Sequence, residues 1–358
     1  MSSIGQGEVH MGPLKILILK RDKIGDLLLT TPMIEHLSKS LPDAEIDLIA
    51  SDYNAWVVKD NPYIHKLWVY PRIKRNGKKS LSAAIKQWRV FQKLKRKNYD
   101  IVIAAAGEEL SQNIKRLKAL GGKRRIAYAE DPKLKKYVTD PLPCYGWRTP
   151  HETIRILNVL STLNIPLPQN TIYPAYHTPD EYIRQAKQWL ETQGVQRDFV
   201  IIGLGARRAK KQLSTTQIIA LTQWLDTQHK LDVVFMWTPG QSNNKDYPGD
   251  DETAQPVLEA KLATLHPYRG PIPMALGLIA LARASIFPDS GLMHFAAASP
   301  GGVLGLFAET DVSPPEERWG PCGKKTELIV AKKSISEVPL TTIQKKIEAL
   351  LSSTPTCL

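Results

Sequence analysis

Apolar residues in the first half of the chain arrive in short unbroken runs. "LKILIL" (14–19), "AEIDLIA" (44–50), "HKLWVY" (65–70) and "YDIVIAAAG" (99–107) each suit a strand covered on both faces. Between the first two, "DLLLTTPMIEHLSKSLP" predicts a single helix that Pro42 ends. A long basic helix separates the third and fourth. In it Leu81, Ile85, Trp88 and Leu94 share one face, which is expected to pack while the other faces present cations. Strands interleaved with helices predict a parallel, doubly wound α/β sheet.

The period is lost around 164–180, where "NIPLPQNTIYPAYHTPDE" carries four prolines and reads as a linker. A second α/β pattern follows. "DFVIIGLG" (198–205) is a strand running into a glycine turn, "STTQIIALTQWLDTQ" a helix with a Ser N-cap, and "LDVVFMW" (231–237) the next strand. "ARASIFPDSG" (282–291), "GLMHFAAAS" and "GVLGLF" (302–307) repeat the strand, helix, strand order before "SEVPLTTIQKKIEALLSS" closes the chain as a helix. Two similar α/β halves with a cleft between them are the expected architecture. The boundaries predicted are an N-terminal domain at 1–175, a C-terminal domain at 176–335, and a closing helix at 336–358 able to pack back on the N-terminal domain.

Composition narrows the partners. A chain of 358 residues with 42% hydrophobic content suits two compact domains. The best membrane-span candidate, "MALGLIALARASIF", is short of the roughly 18 to 20 residues a span needs and is broken by Arg283. The polar start "MSSIGQGEVHMGP" lacks a secretory pattern, so a cytoplasmic location is expected. Cys144, Cys322 and Cys357 are scattered without metal-ligand or redox spacing. The formal net charge is +13, which points to an anionic partner: nucleic acid, a phospholipid surface or a phosphorylated substrate. The charge is concentrated at 72–97, "RIKRNGKKSLSAAIKQWRVFQKLKRK", with eleven basic residues and no acidic one.

Four segments offer chemistry. In "FPDSGLMHFAAAS" a strand ends, Asp289 or Ser290 can cap the next helix, Gly291 permits close backbone approach, and His294 lies one turn in. Free N–H groups there would suit a phosphate, although a plain N-cap explains the same residues. "LGARRAKKQLSTTQ" places Gly205, Arg207, Arg208, Lys210 and Lys211 at the carboxyl end of a strand, where open α/β sheets bind ligands. "TPGQSNNKDYPGDDETAQPVL" sets Asp250, Asp251 and Glu252 at a helix start, favourable for the dipole and able to accept from ribose hydroxyls. "KRDKIGDLLL" puts Asp26 at a helix mouth behind Lys20, Arg21 and Lys23. Neither a Walker A sequence nor GxGxxG after the first strand occurs, which disfavours a P-loop NTPase or a dinucleotide dehydrogenase.

These segments, in this order, resemble glycosyltransferase family 9, the ADP-heptose:lipopolysaccharide heptosyltransferases. The similarity runs from "ILILKRDKIGDLLLTTPMIEHLSKSLPDAEIDLIA" through "LKRKNYDIVIAAAG" to "FPDSGLMHFAAASPGGVLGLFAETD" and "RWGPCG". Ser290 stands for the family's usual Thr, and "FAET" for its "FGPT". The resemblance implies two facing Rossmann-like domains (GT-B), with donor held by the C-terminal half and acceptor by the N-terminal half. It implies inverting heptose transfer that needs no metal and no cofactor, consistent with the lack of a DxD motif.

Carried residue by residue, the resemblance makes Asp26 the general base and Lys211, or its neighbour Lys210, the group that neutralises the departing diphosphate. Gly205, Asp289, Ser290, Gly291 and His294 would hold the donor phosphates, and Asp251 or Glu252 the ribose. Lys23, Arg72, Lys74 and Arg75 would meet a phosphorylated glycolipid acceptor. The implied partners are a nucleotide sugar, that glycolipid and the anionic inner face of the cytoplasmic membrane, with no specific nucleic acid. A transferase of another nucleotide sugar, and a non-catalytic polyanion binder, are the competing readings.

Overall fold

The computed structural model describes residues 12–20, 23–75, 78–205, 209–243, 249–309 and 315–352. The chain divides into two compact units. The first takes residues up to Gly146 together with Glu152–Ile172, and the second takes Trp147–His151 and everything from Tyr173 on. The change of unit at 172–173 falls inside the proline-rich segment, which has no helix or strand until Asp180. The excursion at 147–151 has no signature in the sequence.

In the first unit the strands are, in chain order, β1 (Lys15–Leu19), β2 (Glu45–Ser51), β3 (Lys66–Tyr70), a hairpin of β4 (Lys74–Arg75) and β5 (Lys78–Lys79), then β6 (Ile101–Ala104), β7 (Arg124–Tyr128) and β8 (Asp140–Leu142). Its helices are α1 (Ile24–Leu28), α2 (Thr31–Ser40), α3 (Leu81–Lys95), α4 (Ser111–Leu120), α5 (Pro132–Lys135) and α6 (Glu152–Asn158). Six strands form one parallel sheet in the order β3-β2-β1-β6-β7-β8. Ile16, Leu17, Ile18 and Leu19 of central β1 are sealed from water, as an unbroken apolar run requires. Buried Asp47 on β2 accepts from Tyr99 Oη at 2.6 Å and Trp68 Nε1 at 2.9 Å, so its carboxylate is hydrogen-bonded rather than stranded.

Two expectations for this unit need correction. The helix expected from Asp26 to Pro42 is two helices, because the chain turns at Leu29 and Thr30 and restarts with Pro32 in the first turn of α2, where a missing N–H costs nothing. Of the four α3 residues expected to pack, only Leu94 does. Ala83 and Leu94 are buried, and Val90 and Phe91 pack on the core, whereas Leu81, Ile85 and Trp88 face solvent. The helix carries two apolar stripes, and the sheet takes the one that holds the smaller residues near its start.

The second unit has β9 (Phe199–Gly203), β10 (Asp232–Met236), β11 (Leu265–Tyr268), β12 (Ala284–Pro288), β13 (Val303–Ala308) and β14 (Thr326–Ala331). Their order, β11-β10-β9-β12-β13-β14, repeats the topology of the first sheet, again all parallel. The helices are α7 (Asp180–Thr192), α8 (Thr215–Trp224), α9 (Asp251–Glu259), α10 (Ile272–Leu281), α11 (Gly291–Ala297), α12 (Glu316–Trp319) and α13 (Leu340–Ser352). At the start of α8, Ser214 Oγ accepts from the Gln217 N–H while Gln217 Oε1 accepts from the Ser214 N–H, a reciprocal cap. Ile343, Ile347 and Leu350 bury in the core of the second unit, each a contribution of about 1.5–3 kcal/mol.

In each sheet the strand order reverses beside its first strand, at β1/β6 and at β9/β12, and such a switch point opens a crevice beyond the strand ends. At the second one Gly203 is required by packing: a Cβ there would meet the Phe287 ring at 2.2 Å. Gly203→Ala is therefore expected to destabilise the protein by about 1–3 kcal/mol, seen as a lowered urea midpoint. Gly205→Ala, whose Cβ would find only Thr238 Oγ1 at 3.4 Å, should shift the midpoint far less.

Candidate active site

At the first switch point, Asp26 occupies the third position of α1. Its Oδ2 accepts from the Lys23 N–H at 3.1 Å, and its side chain is partly exposed. The carboxylate thus caps the helix start while keeping a face toward solvent. Of the three bases before it, Lys23 is exposed and Arg21 lies outside the described residues. Lys20 is buried instead. It is only 1% exposed, and its ammonium donates to the Ala105 carbonyl at 2.8 Å, tying the end of β1 to the loop beyond β6.

That loop rests on charges the sequence reading did not single out. Buried Glu152 accepts the Gly107 N–H at 3.0 Å, and the equally buried Arg155 donates to the Gly107 and Gly146 carbonyls. Glu and Arg three apart at the start of an otherwise apolar helix, "HETIRIL", was the available signal.

Of the residues expected to meet the acceptor, Lys74 and Arg75 form β4 of the β4–β5 hairpin, Arg72 lies just before it, and Lys23 stands apart at the start of α1. Arg72 Nε reaches Asp52 Oδ1 at 3.3 Å, and its guanidinium lies 4.5 Å from the Tyr53 ring centre. Lys74 is exposed and pairs in register with Lys79, while Arg75 pairs with Lys78. Like charges directly opposite repel, so this ladder gains from any anion laid against it.

At the second switch point, Lys211 is 4% exposed, and its ammonium pairs with Asp289 Oδ2 at 2.6 Å and lies 5.2 Å from the Phe307 ring centre. Lys210 turns elsewhere, to the Glu309 carbonyl. Lys211 is therefore the lysine joined to the Asp289–Ser290–Gly291 turn. Arg207 and Arg208 lie outside the described residues. Ser290 is the N-cap residue of α11, yet its Oγ makes no cap bond, and it is buried without a hydrogen-bond partner. His294 Nδ1, one turn on, is likewise buried and unpartnered. Burial pushes the His294 imidazole down to about 4, against the pull of Asp289 and with a smaller push from His151, whose own Nε2 lies 3.1 Å from the Gly320 carbonyl.

The three acids at the start of α9 mainly shape a loop. Asp250 is buried, and its carboxyl, raised by that burial, bonds Gln212 Nε2 at 2.6 Å and the Thr238 N–H at 3.0 Å. Asp251 accepts from Trp237 Nε1 and the Gly240 N–H, which hold it below the usual carboxylate range. Glu252, exposed, accepts from Ser242 Oγ at 2.9 Å. The segment after Gly240 is pinned at its neck, where a Cβ on Gly249 would strike the Gly240 carbonyl.

The profile described as glycosyltransferase family 9 (heptosyltransferase) matches residues 87–348, so the protein belongs to glycosyltransferase family 9 and is a glycosyltransferase. It is 25% identical over 291 residues to lipopolysaccharide heptosyltransferase 3 of Escherichia coli, covering 80% of this chain and 81% of that one. The protein of the same name from Escherichia coli strain K12 is 27% identical over 291 residues, covering 80% of each. Among solved structures, a glycosyl transferase family 9 from Veillonella parvula DSM 2008 is similar over 97% of this chain and 100% of that one, with a TM-score of 0.77 at 18% identity. E. coli heptosyltransferase WaaC with ADP covers 94% and 100%, with a TM-score of 0.71 at 18% identity. At such identities these structures establish the α/β, GT-B class of fold.

The depressed His294 has a measurable consequence. Below pH 6.5 the unfolded chain protonates this imidazole, while the folded protein resists until about pH 4. Its contribution to stability is therefore full above pH 6.5 and is lost as pH falls toward 4, by about 3 kcal/mol at most. Urea unfolding at pH 7 and pH 4.5 should show a smaller drop for His294→Asn than for the wild type. Equal drops would remove His294 as the cause.

Proposed function

We propose that the protein transfers heptose from ADP-heptose to the inner core of lipopolysaccharide, with inversion at the anomeric carbon. The observation that carries this reading is the polar set at the second switch point: buried Ser290 Oγ and His294 Nδ1 without partners, beside the Lys211–Asp289 pair. A diphosphate supplies the acceptor atoms that a hydroxyl, an imidazole N–H and an ammonium can bond. The similarity to lipopolysaccharide heptosyltransferase 3 supports the sugar and the acceptor, and the fold likeness to a heptosyltransferase solved with ADP supports the nucleotide.

In this mechanism the Asp26 carboxylate accepts the proton of the acceptor hydroxyl as its oxygen bonds the anomeric carbon. The bond from that carbon to the ADP oxygen breaks on the opposite side. Lys211 counters the charge that builds on the leaving diphosphate, and Ser290 and His294 hold its oxygens. Protein groups carry the charge, so no metal enters the scheme. Gly205 and Gly291 let the backbone approach the phosphates. Of the two ribose candidates, exposed Glu252 is better placed than Asp251, whose oxygens already hold the 238–240 loop. Lys23, Arg72, Lys74 and Arg75 would meet phosphates on the acceptor. Among the described residues no helix is long and apolar enough to cross a membrane, and the reading places the enzyme at the cytoplasmic face of the membrane that holds its acceptor.

Two experiments test this. Thermal-shift titration with ADP, UDP, GDP and dTDP should show selective stabilisation by ADP; a UDP response beside a flat ADP response would overturn the donor assignment. In a mass-spectrometric product assay with ADP-heptose and truncated core acceptors, Asp26→Asn should lose about 10² or more in turnover while its ADP-induced shift persists. Near-normal turnover would exclude Asp26 as the base.

A further inference from the structure

The solvent-facing stripe of α3 has no role in the chemistry above. Leu81, Ile85 and Trp88 are 79%, 45% and 62% exposed, and their spacing puts them along one line of the helix. The opposite side is anchored through Ala83, Val90, Phe91 and Leu94, so this line is held outward by the fold. Exposed Lys86, Arg89 and Lys93 flank it, and the hairpin just before the helix adds exposed Lys74, Lys78 and Lys79. No acidic residue occurs from 72 to 97.

A row of large apolar side chains left in water is costly and marks a contact surface. A solvated helix face would intersperse acids among its bases, and none occurs here. An anionic bilayer satisfies every part. Its interface favours Trp, its acyl boundary takes Leu and Ile, and its phosphates pair with the flanking cations. Because α3 is already folded and anchored, docking needs no new helix.

We propose that α3 is a membrane-docking helix that lies in the plane of an anionic phospholipid surface, inserting Leu81, Ile85 and Trp88 to the acyl boundary while Lys86, Arg89 and Lys93 bind the headgroup phosphates. It rests on the transferase reading only for its purpose, which is to hold the enzyme beside a lipid-borne acceptor. The docking itself requires no sugar.

The test is flotation of the full chain with vesicles of phosphatidylcholine alone and of phosphatidylcholine mixed equally with phosphatidylglycerol. Wild type should float with the anionic vesicles and not the neutral ones. The Leu81→Ser, Ile85→Ser, Trp88→Ser variant should lose about tenfold in partitioning even at low salt. Lys86→Glu, Arg89→Glu, Lys93→Glu should lose at least as much. Trp88→Ser alone gives a smaller loss in the same direction and serves if the triple variant melts early. Wild type that ignores both vesicles, or a serine variant that floats as well as wild type, overturns the proposal. So does a concentration-dependent dimer in sedimentation velocity that the serine variant abolishes, because the stripe would then join two copies of the chain. Turnover of a delipidated, water-soluble core acceptor should be equal in wild type and the serine variant. If no acceptor is turned over while anionic vesicles are still bound, the transferase reading fails and the docking helix stands.

Discussion

The ion pair between Lys211 and Asp289 fixes the geometry of the second switch point. One partner follows β9 and the other follows β12, so a 2.6 Å contact spans the place where the strand order reverses and the two loops would otherwise diverge. A lysine so nearly buried needs a counter-charge, and removing either partner of such a pair typically costs 3–5 kcal/mol. The first unit solves the same topological problem in a related way. Lys20 follows β1, is as deeply buried, and donates to Ala105 beyond β6. In both sheets a lysine beyond the first strand reaches across the switch point. In one the partner is a carbonyl; in the other it is a carboxylate, and there the ammonium is already paired with the residue that precedes the unpartnered Ser290.

That difference separates scaffold from chemistry. Lys20 satisfies a main-chain acceptor and holds the loop on which Glu152 and Arg155 also act. Lys211 sits against a carboxylate, Asp289. A diphosphate arriving there would share the ammonium with Asp289, so the lysine can follow charge as it builds on the leaving group without being desolvated anew. In the proposed reaction, the Lys211–Asp289 contact would preorganise the site before a ligand arrives.

The sequence made legible those strands whose burial is two-sided. β1, β2, β6, β9, β10, β12 and β13 were all visible as apolar runs because helices cover both faces. Of the strands toward the sheet edges, β3 was visible as "HKLWVY", whereas β7, β8, β11 and β14 were not. β7 begins with Arg124 and Arg125, β8 is "DPL" and β11 is "LHPY", and no periodicity marks chains that use a charge or a proline where one side meets solvent. The α3 stripes show the same limit in another form: the spacing revealed an apolar face, but which of two faces meets the sheet is decided by tertiary packing. Turn chemistry was the better guide to the site, since "PDSG" and "KKQLS" alone marked the positions that the fold joins through Lys211 and Asp289. Buried charge could not be read. Lys20 looks like one base in a basic run, and the acids at 250–252 look like ligand contacts until their bonds to Gln212, Trp237, Thr238 and Gly240 are seen.

Ser290 and His294 complete the argument. A buried hydroxyl or ring nitrogen without a partner costs about 1–3 kcal/mol, and each could have been relieved locally, Ser290 by bonding the α11 amides as an N-cap normally does. Its Oγ does not make that bond. A neutral His294, with its pKa pressed down by burial, can offer one N–H without bringing a second cation beside Lys211. Leaving both groups without hydrogen bonds lowers the stability of the second unit, and in the proposed reaction a bound diphosphate would return that free energy as binding.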